Sequence, residues 1–474
     1  MALRSLWWDR STTPTPQPPT DVTGEWDVVV VGGGLTGLTT AGLFARAGRS
    51  VLVVEARHVG AGTTGGSTAK ASLLQGTHLS GVARKHSHQV LRQYAEANRE
   101  GLAWLDRFCT QHGVECDARP AYTYATTAGG ESSARTELDA LEAAGIEGAH
   151  WVDRPPLPFE TRGAVCLPDQ RQVDPVALVA ALAEDARAHG ATIVEGARVQ
   201  KVHGREPTLV VTEHGTASAG LVVVATNMPI LDRGGFFARA TPARSYSIAF
   251  RTETPAVDGM YLSANGPTRS LRDVVDPDGT SLLLVGGDGH RTGSATSETG
   301  HLEALRSWTH EHFPYAVETH AWSAQDYMSA SALPYVGPVL PGVEHLQVAG
   351  GYSKWGLTNG VAAALAIAGR VLGDHQAWAT AYDPWRAHEL AGLPGAVKAN
   401  AEVGVEMVGG WLRHLNPGHD EGAGEVSTVC THLGGIVRWN DAEESWDCPL
   451  HGSRFSPDGS VLEGPATCGL RRRR

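Results

Sequence analysis

At 474 residues the chain is long enough for two or three hydrophobic cores, and 42% hydrophobic with 19% charged residues is the composition of a globular, multidomain protein. A formal net charge of -12 repels a phosphate backbone and argues against nucleic acid as a partner, so the terminal run Arg471 to Arg474 reads as a solvated tail. No stretch approaches the roughly 18 uninterrupted apolar residues of a membrane span, and Met1 to Arg10 lacks the apolar run of a signal peptide, so no membrane and a cytoplasmic location are expected.

Residues 1–24 read as an irregular arm, rich in Pro and Thr from Ser11 to Thr20. Folding starts near Glu25. A strand at Asp27 to Val31, a glycine turn, a helix at Leu35 to Ala47 and a strand at Ser50 to Glu55 make one βαβ unit of a parallel sheet. Amphipathic helices follow over His88 to Cys109 and Pro175 to His189, the second leading into a strand at Thr192 to Glu195. The apolar runs Ser247 to Phe250 and Ser281 to Val285 suit a more antiparallel sheet, so a substrate domain is expected to be inserted among separated pieces of a nucleotide domain over 25–389. Residues 390–424 read as a helical connector, Leu390 to Leu415, and a linker, Asn416 to Gly424; 425–474 is a small module of short strands.

Gly32, Gly34 and Gly37 form G-x-G-x-x-G between a strand and a helix, where glycines permit a tight turn, backbone approach to a pyrophosphate and close helix packing. Leu35 and Thr36 would bring their amides to the phosphates at the helix N-terminus. Glu55, ending the second strand ahead of Ala56, is placed to accept a ribose hydroxyl.

With these residues the sequence resembles, over roughly Trp26 to Tyr382, the glycine/D-amino-acid oxidase family of FAD enzymes. GAGTTGGSTAK, from Gly60 to Lys70, is similar to the family's second phosphate- and flavin-contacting loop, which implies contacts from Thr63, Thr64, Ser67, Thr68 and Lys70. GARVQKV resembles the adenine-flanking strand, with Val199 as the contact, and LVVVATN resembles the strand closing over the dinucleotide, with Ala225 and Thr226. PYVG at Pro334 leads to AGGYSKWGLTNG, whose helix start would aim amides at the flavin from Gly351, Trp355, Gly356, Leu357 and Thr358. A single NAD module needs neither late piece, which favours FAD.

Lys70 and Lys354 are expected beside the isoalloxazine, where a cation stabilises the anionic reduced flavin; the plain alternative is a solvated lysine. Arg244, Ser245 and Tyr246 resemble the substrate-domain entry, with Tyr246 a candidate catalytic residue. Arg244 is a candidate to hold a substrate carboxylate bidentately, a structural salt bridge being the other reading.

Six cysteines are too few and too scattered for a disulfide framework; Cys109, Cys116, Cys166 and Cys468 read as packing or incidental residues. Cys430-Thr-His432 and Cys448-Pro-Leu-His451 do not. Two thiolates for one iron and two imidazoles for the other is the ligand set of a Rieske [2Fe-2S] centre, and a tetrahedral zinc is the alternative for any Cys2His2 set. The flanks CTHLGG and CPLHGSRFSPDGSVLEGPA closely resemble the two Rieske cluster loops. Gly435 and Leu450 stand where many Rieske proteins carry a loop-bridging disulfide, and only Asn416 to Val429 precedes Cys430, so a shortened domain is expected. His86, His88, His310 and His312 lack further ligands at matching spacing and read as surface residues.

Together these parts resemble a bacterial family of Rieske-containing FAD-dependent oxidoreductases, also through WSAQD at Trp322 to Asp326; Ser331 stands where relatives tend to place a second acid. The implied architecture is α/β: a Rossmann-like FAD-binding domain with an inserted antiparallel substrate domain and an all-β Rieske-like module. The implied activity is hydride transfer from a small amine or amino acid to flavin, with electrons leaving singly through the cluster to a one-electron carrier protein, a dehydrogenase more than an oxidase. The alternatives are a module reduced by NAD(P)H, for which no second G-x-G-x-x-G opens a helix, and an oxygen-using oxidase with a degenerate tail. A Rieske oxygenase is disfavoured, since no His/His/carboxylate set stands ready for a mononuclear iron.

Overall fold

A computed structural model describes residues 3–11, 21–414 and 426–473. Residues 12–20 of the expected arm, the linker 416–424 and Arg474 lie outside the described residues.

The run Val28 to Val31 is buried on both faces, as a central strand of a parallel sheet must be. Its strand, Gly24–Val31, pairs in parallel with Val51–Val54 on one side and with Gly215–Asn227 on the other. Thr192–Val194 and Leu346–Gly350 extend the parallel order outwards, Tyr335–Pro338 closes one edge antiparallel, and the hairpin Val199–His203 with Thr208–Thr212 completes an eight-stranded sheet. Helices Leu35–Arg46, Pro175–Ala188 and Gly356–Leu372 cover it. Asp174 caps the second of these through Val176 and Ala177 N–H, with Pro175 in the first turn where its missing N–H costs nothing.

A nine-stranded sheet is built largely from chain between the strands of the first. Its centre is antiparallel: Ala240–Thr252 lies between Ser281–Arg291 and Val317–Ser329. The strands expected at Ser247 to Phe250 and Ser281 to Val285 are the apolar middles of these longer ones. The helix expected from His88 runs to His112, starting on the Ser87 side chain and ending at Gly113 in the left-handed region.

The chain then turns through Ala387–Gly392 into the helix Leu393–His414, and Arg438–Asn440, Ser445–Asp447, Arg454–Phe455 and Val461–Glu463 form a four-stranded antiparallel sheet. The N-terminal segment differs from an irregular arm. Leu6–Arg10 is helical, and Trp7 is fully buried against the loop that follows the second strand, donating its indole N–H to Ser67 O at 2.7 Å. Five residues carry too little periodicity to register as a helix; burial of one large aromatic ring holds them. Among the described residues no single helix is long and apolar enough to cross a membrane.

Candidate active site and cluster loops

A cavity of about 640 Å3 runs from the glycine turn of the parallel sheet to the face of the antiparallel sheet. At its dinucleotide end Gly32 has φ +109, and a Cβ there would lie 2.7 Å from Ala225 O. A Cβ on Gly37 would lie 1.9 Å from Gly32 O, so the third glycine serves helix-on-strand packing behind the cavity wall. The helix it opens has Gly34 as N-cap, with no side-chain cap and no acid in its first turn. That is the environment an anionic pyrophosphate fits.

Glu55 is fixed by Gly33 N–H at 2.7 Å and Arg57 N–H at 2.8 Å, one on each oxygen, with lone pairs left over for hydroxyl donors. The loop residues Thr63, Thr64, Ser67 and Thr68 line the cavity, as do Leu35, Thr36, Ala56, Val199, Ala225 and Thr226. Trp355, Gly356 and Leu357 line its far side, whereas Gly351 lies beneath the Tyr335 ring and Thr358 turns inward to donate to Asn98 Oδ1 at 2.6 Å. This cradle fits the dinucleotide half of FAD, and the cavity continues beyond it to the second sheet, where a flavin and a substrate have room.

Lys70 and Lys354 both face that far end. Lys70 donates to Tyr261 O at 3.0 Å and to Ser270 Oγ; burial, then repulsion from Arg272, pushes its ammonium well below the usual lysine range. Lys354 opens to the cavity and donates to Ser245 Oγ at 2.7 Å, and burial lowers its pKa against the pull of Asp326. Asp326 accepts from the Lys354 backbone N–H and from Asn227 Nδ2 at 2.9 Å, and its carboxyl is raised by burial. Asn227 and Asp326 stand within two of the motifs that carry the family resemblance, yet only the fold makes them neighbours. Tyr246 is fully buried; its hydroxyl meets His290 Nε2 at 3.0 Å and its ring stacks with those of His290 and His301.

Arg244 is not a carboxylate clamp at the cavity. Its side chain is buried away from the lining, bonded to Ser323 Oγ and paired through Nε with Glu443 at 2.6 Å, with Glu463 at 3.7 Å. Both acids belong to the C-terminal module, so the salt-bridge reading is the one the structure realises. The residue alternates with its neighbours along a strand, and Ser245 takes the cavity side.

The C-terminal loops repeat one another. In each, the cysteine carbonyl accepts from a glycine N–H four residues on, Gly434 or Gly452, both at 3.1 Å. Each cysteine N–H donates five residues on, to Gly435 O or Ser453 O, both at 2.8 Å. The Cys430 and Cys448 thiols meet; the bond from Cys448 draws Cys430 down to about 7 and raises Cys448. The rings of His432 and His451 lie 5.2 Å apart, and burial takes His451 down to about 4, which keeps it neutral.

Gly435 and Leu450 face each other: a Cβ on Gly435 would fall 2.6 Å from Leu450, so an apolar contact occupies the position of the missing disulfide. Among the described residues no three His, Cys, Asp or Glu side chains converge as they would on one ion. A sulfur pair and a nitrogen pair on facing loops fit a two-iron cluster better than a single tetrahedral ion.

The module seats its histidine loops on the rest of the chain. His432 Nε2 lies 2.9 Å from Asp232 Oδ1, and the Phe237 ring stands edge-on to both imidazoles, 5.0 Å from His451 and 5.7 Å from His432. Gln325, on the cavity wall, donates to Gly452 O at 2.8 Å, and Arg198 donates to Val461 O at 2.8 Å. Leu462, Glu463 and Gly464 themselves line the cavity. None of these contacts has a signature in the sequence, because each joins residues more than a hundred positions apart.

A dinucleotide-binding sheet, an antiparallel sheet across the cavity and a thiolate-imidazole module define a flavin-dependent oxidoreductase with an iron-sulfur domain. The family of FAD dependent oxidoreductases (DAO) matches residues 27–370 and the Rieske [2Fe-2S] domain matches residues 392–472, and the chain belongs to that oxidoreductase family with FAD and a [2Fe-2S] cluster as its cofactors. The Rieske match takes in the helix before the cluster loops. A relative from Bacillus subtilis (strain 168), the putative Rieske 2Fe-2S iron-sulfur protein YhfW, is 30% identical over 97% of this chain and 96% of its own length. Glycine oxidase from Geobacillus kaustophilus shares the fold with a TM-score of 0.63 and 20% identity, over 75% of this chain and 96% of its own. L-proline dehydrogenase from P. horikoshii does so with a TM-score of 0.63 and 16% identity, over 77% and 98%.

Proposed function

We propose that this flavoenzyme is a dehydrogenase for a small amine or amino acid. FAD supplies a hydride acceptor, and the [2Fe-2S] cluster supplies a one-electron outlet towards an external carrier protein. The observation that carries this reading is Gln325, a residue of the cavity wall whose backbone carbonyl accepts from Thr63 at 2.5 Å and whose side chain reaches the other way to bond the backbone of the second cluster loop at Gly452. A module serving only as a tail has no need to share a wall with the flavin cavity.

The substrate class rests on the fold neighbours, whose names are those of amino-acid enzymes, and on the polar end of the cavity. An ammonium group must lose a proton before its carbon gives up hydride. Lys70, whose ammonium form burial disfavours, is placed to take that proton, its N–H groups binding Tyr261 O and Ser270. Lys354, positioned through Asp326, places a second donor at the same end. With Arg244 turned away, a substrate carboxylate meets these lysines and serines rather than a guanidinium.

The test is iron and acid-labile sulfide per FAD on anaerobically purified protein, with an EPR spectrum after reduction. About two irons per flavin and a rhombic signal lost in Cys430→Ala are expected. FAD without iron would reduce the protein to an oxidase-like flavoenzyme. In stopped flow with an amine substrate, Gln325→Leu should leave flavin bleaching unchanged and slow cluster reduction; equal rates for wild type and variant would remove the proposed relay.

A further inference from the structure

The helix Leu393–His414 has two unlike faces. One is used by the chain itself: Val403 and Met407 pack on the core of the C-terminal module, Gly410 backs onto Ile436, and Glu402 and Glu406 bridge to Arg291 at 3.2 Å and Arg438 at 2.6 Å. The other carries Leu393, Val397, Val405, Val408 and Leu412, exposed by 54%, 68%, 74%, 62% and 67%. Ala401 and Gly404 lie between them, also exposed, and no charged residue falls within this arc.

Three pairs of the stripe are placed symmetrically, while Val405 has Asn400 as its counterpart. Leu393 answers Leu412, Val397 answers Val408 and Ala401 answers Gly404, each pair equidistant from the midpoint between residues 402 and 403. A surface with that symmetry is self-complementary when a second helix of the same sequence packs on it antiparallel about a twofold axis. Gly404 points the same way. Glycine in a helix interior weakens the helix, and a Cβ at Gly395 or Gly410 would meet Ala330 or Ile436, whereas at Gly404 it would meet nothing within the chain. Small residues at the crossing are what close approach of two helix axes requires.

With Leu390, the stripe exposes on the order of 700 Å2, close to the per-partner area of a standard protein interface. A lipid surface is a poorer occupant, since among the described residues Lys398 is the one cation bordering the stripe and the chain carries a net charge of -12.

We propose that this helix is a homodimer interface, in which two copies of the chain pair antiparallel with Ala401 and Gly404 at the crossing. Sedimentation equilibrium of the full chain with its cofactors tests it. Wild type should sediment at twice the 50.1 kDa of one chain, and Val397→Glu with Val408→Glu at one-fold, with flavin absorbance and far-UV circular dichroism unchanged. As a check independent of those charges, an Ala401→Cys chain mixed with a Gly404→Cys chain should form a disulfide-linked dimer under mild oxidation, several-fold more than Lys398→Cys alone. A wild-type monomer at tens of micromolar, a dimer indifferent to both glutamates, or no cross-link between 401 and 404 would overturn the proposal. So would a monomer that co-sediments with phosphatidylglycerol vesicles through this stripe.

Discussion

Asp232 Oδ1 stands 2.9 Å from Nε2 of His432, which places a carboxylate of the flavin-binding part on an imidazole expected to ligate the cluster. A carboxylate bonded to the outer nitrogen of a ligating imidazole fixes the ring and makes it a better donor. Negative charge beside a cluster disfavours the added electron, so Asp232→Asn should raise its midpoint potential. Because Asp232 is largely exposed, the shift should be small, on the order of 20–40 mV, as expected for a screened charge contact when a tenfold change is about 59 mV for one electron. An EPR-monitored redox titration reads it directly, and an unmoved potential would deny Asp232 this influence.

Arg244→Ala should act on the interface rather than on substrate binding. The change leaves the half-buried Glu443 and Glu463 with Arg454 as their remaining guanidinium. Breaking a buried pair by removing one partner costs about 3–5 kcal/mol, and the melting temperature should fall accordingly. In steady-state kinetics KM for an amine substrate should stay within about twofold, a change well under 1 kcal/mol. A raised KM with an unchanged melting temperature would return Arg244 to the cavity.

How much of this was legible depended on the range of the signal. The βαβ unit, its glycines and Glu55 follow from local period and turn chemistry, and the candidate cluster ligands from spacing within each loop. Arg244 was ambiguous because a strand residue points to one face or the other, and which face meets the cavity is set by register with strands far away in sequence. Asp326, Asn227, Gln325, Asp232 and Phe237 gain their roles from contacts between distant segments, and the N-terminal helix gains its order from burying Trp7; a single sequence encodes such contacts without displaying them.

Trp7→Ala should loosen the flavin site from outside it. The indole is fully buried, donates to Ser67 O, and lies beside Ser5, whose hydroxyl donates to Gly65 O at 2.8 Å. Truncating a buried tryptophan costs about 3–5 kcal/mol, here spent where the short N-terminal helix grips the loop Gly60 to Lys70. FAD retained after gel filtration should fall severalfold, with the cluster EPR signal per iron unchanged. Full FAD occupancy in the variant would separate the N-terminal segment from cofactor retention.

Glu137 gives the stability a pH dependence with a definite sign. It is buried beneath the helix His78–Lys85, whose residues His78 and Gly81 line the cavity, and it accepts the Leu79 and Ser80 N–H groups at 3.0 and 2.8 Å. Burial nonetheless pushes its carboxyl from the ordinary 4.5 up to about 7. Between those values the folded protein holds a proton that the unfolded chain has released, so the contribution is full below pH 4.5 and is lost as pH rises towards 7. The loss amounts to about 3 kcal/mol at most, at 1.36 kcal/mol per unit of displacement. Glu137→Gln cannot ionise, and it pays a pH-independent cost for setting an amide N–H2 against one of the two backbone donors. Melting temperatures measured from pH 5 to pH 7 should therefore converge: wild type well above the variant at the acidic end, the gap narrowing as pH rises. Parallel curves would mean that Glu137 is already ionised in the folded protein at pH 5, and that the two amides outweigh its burial.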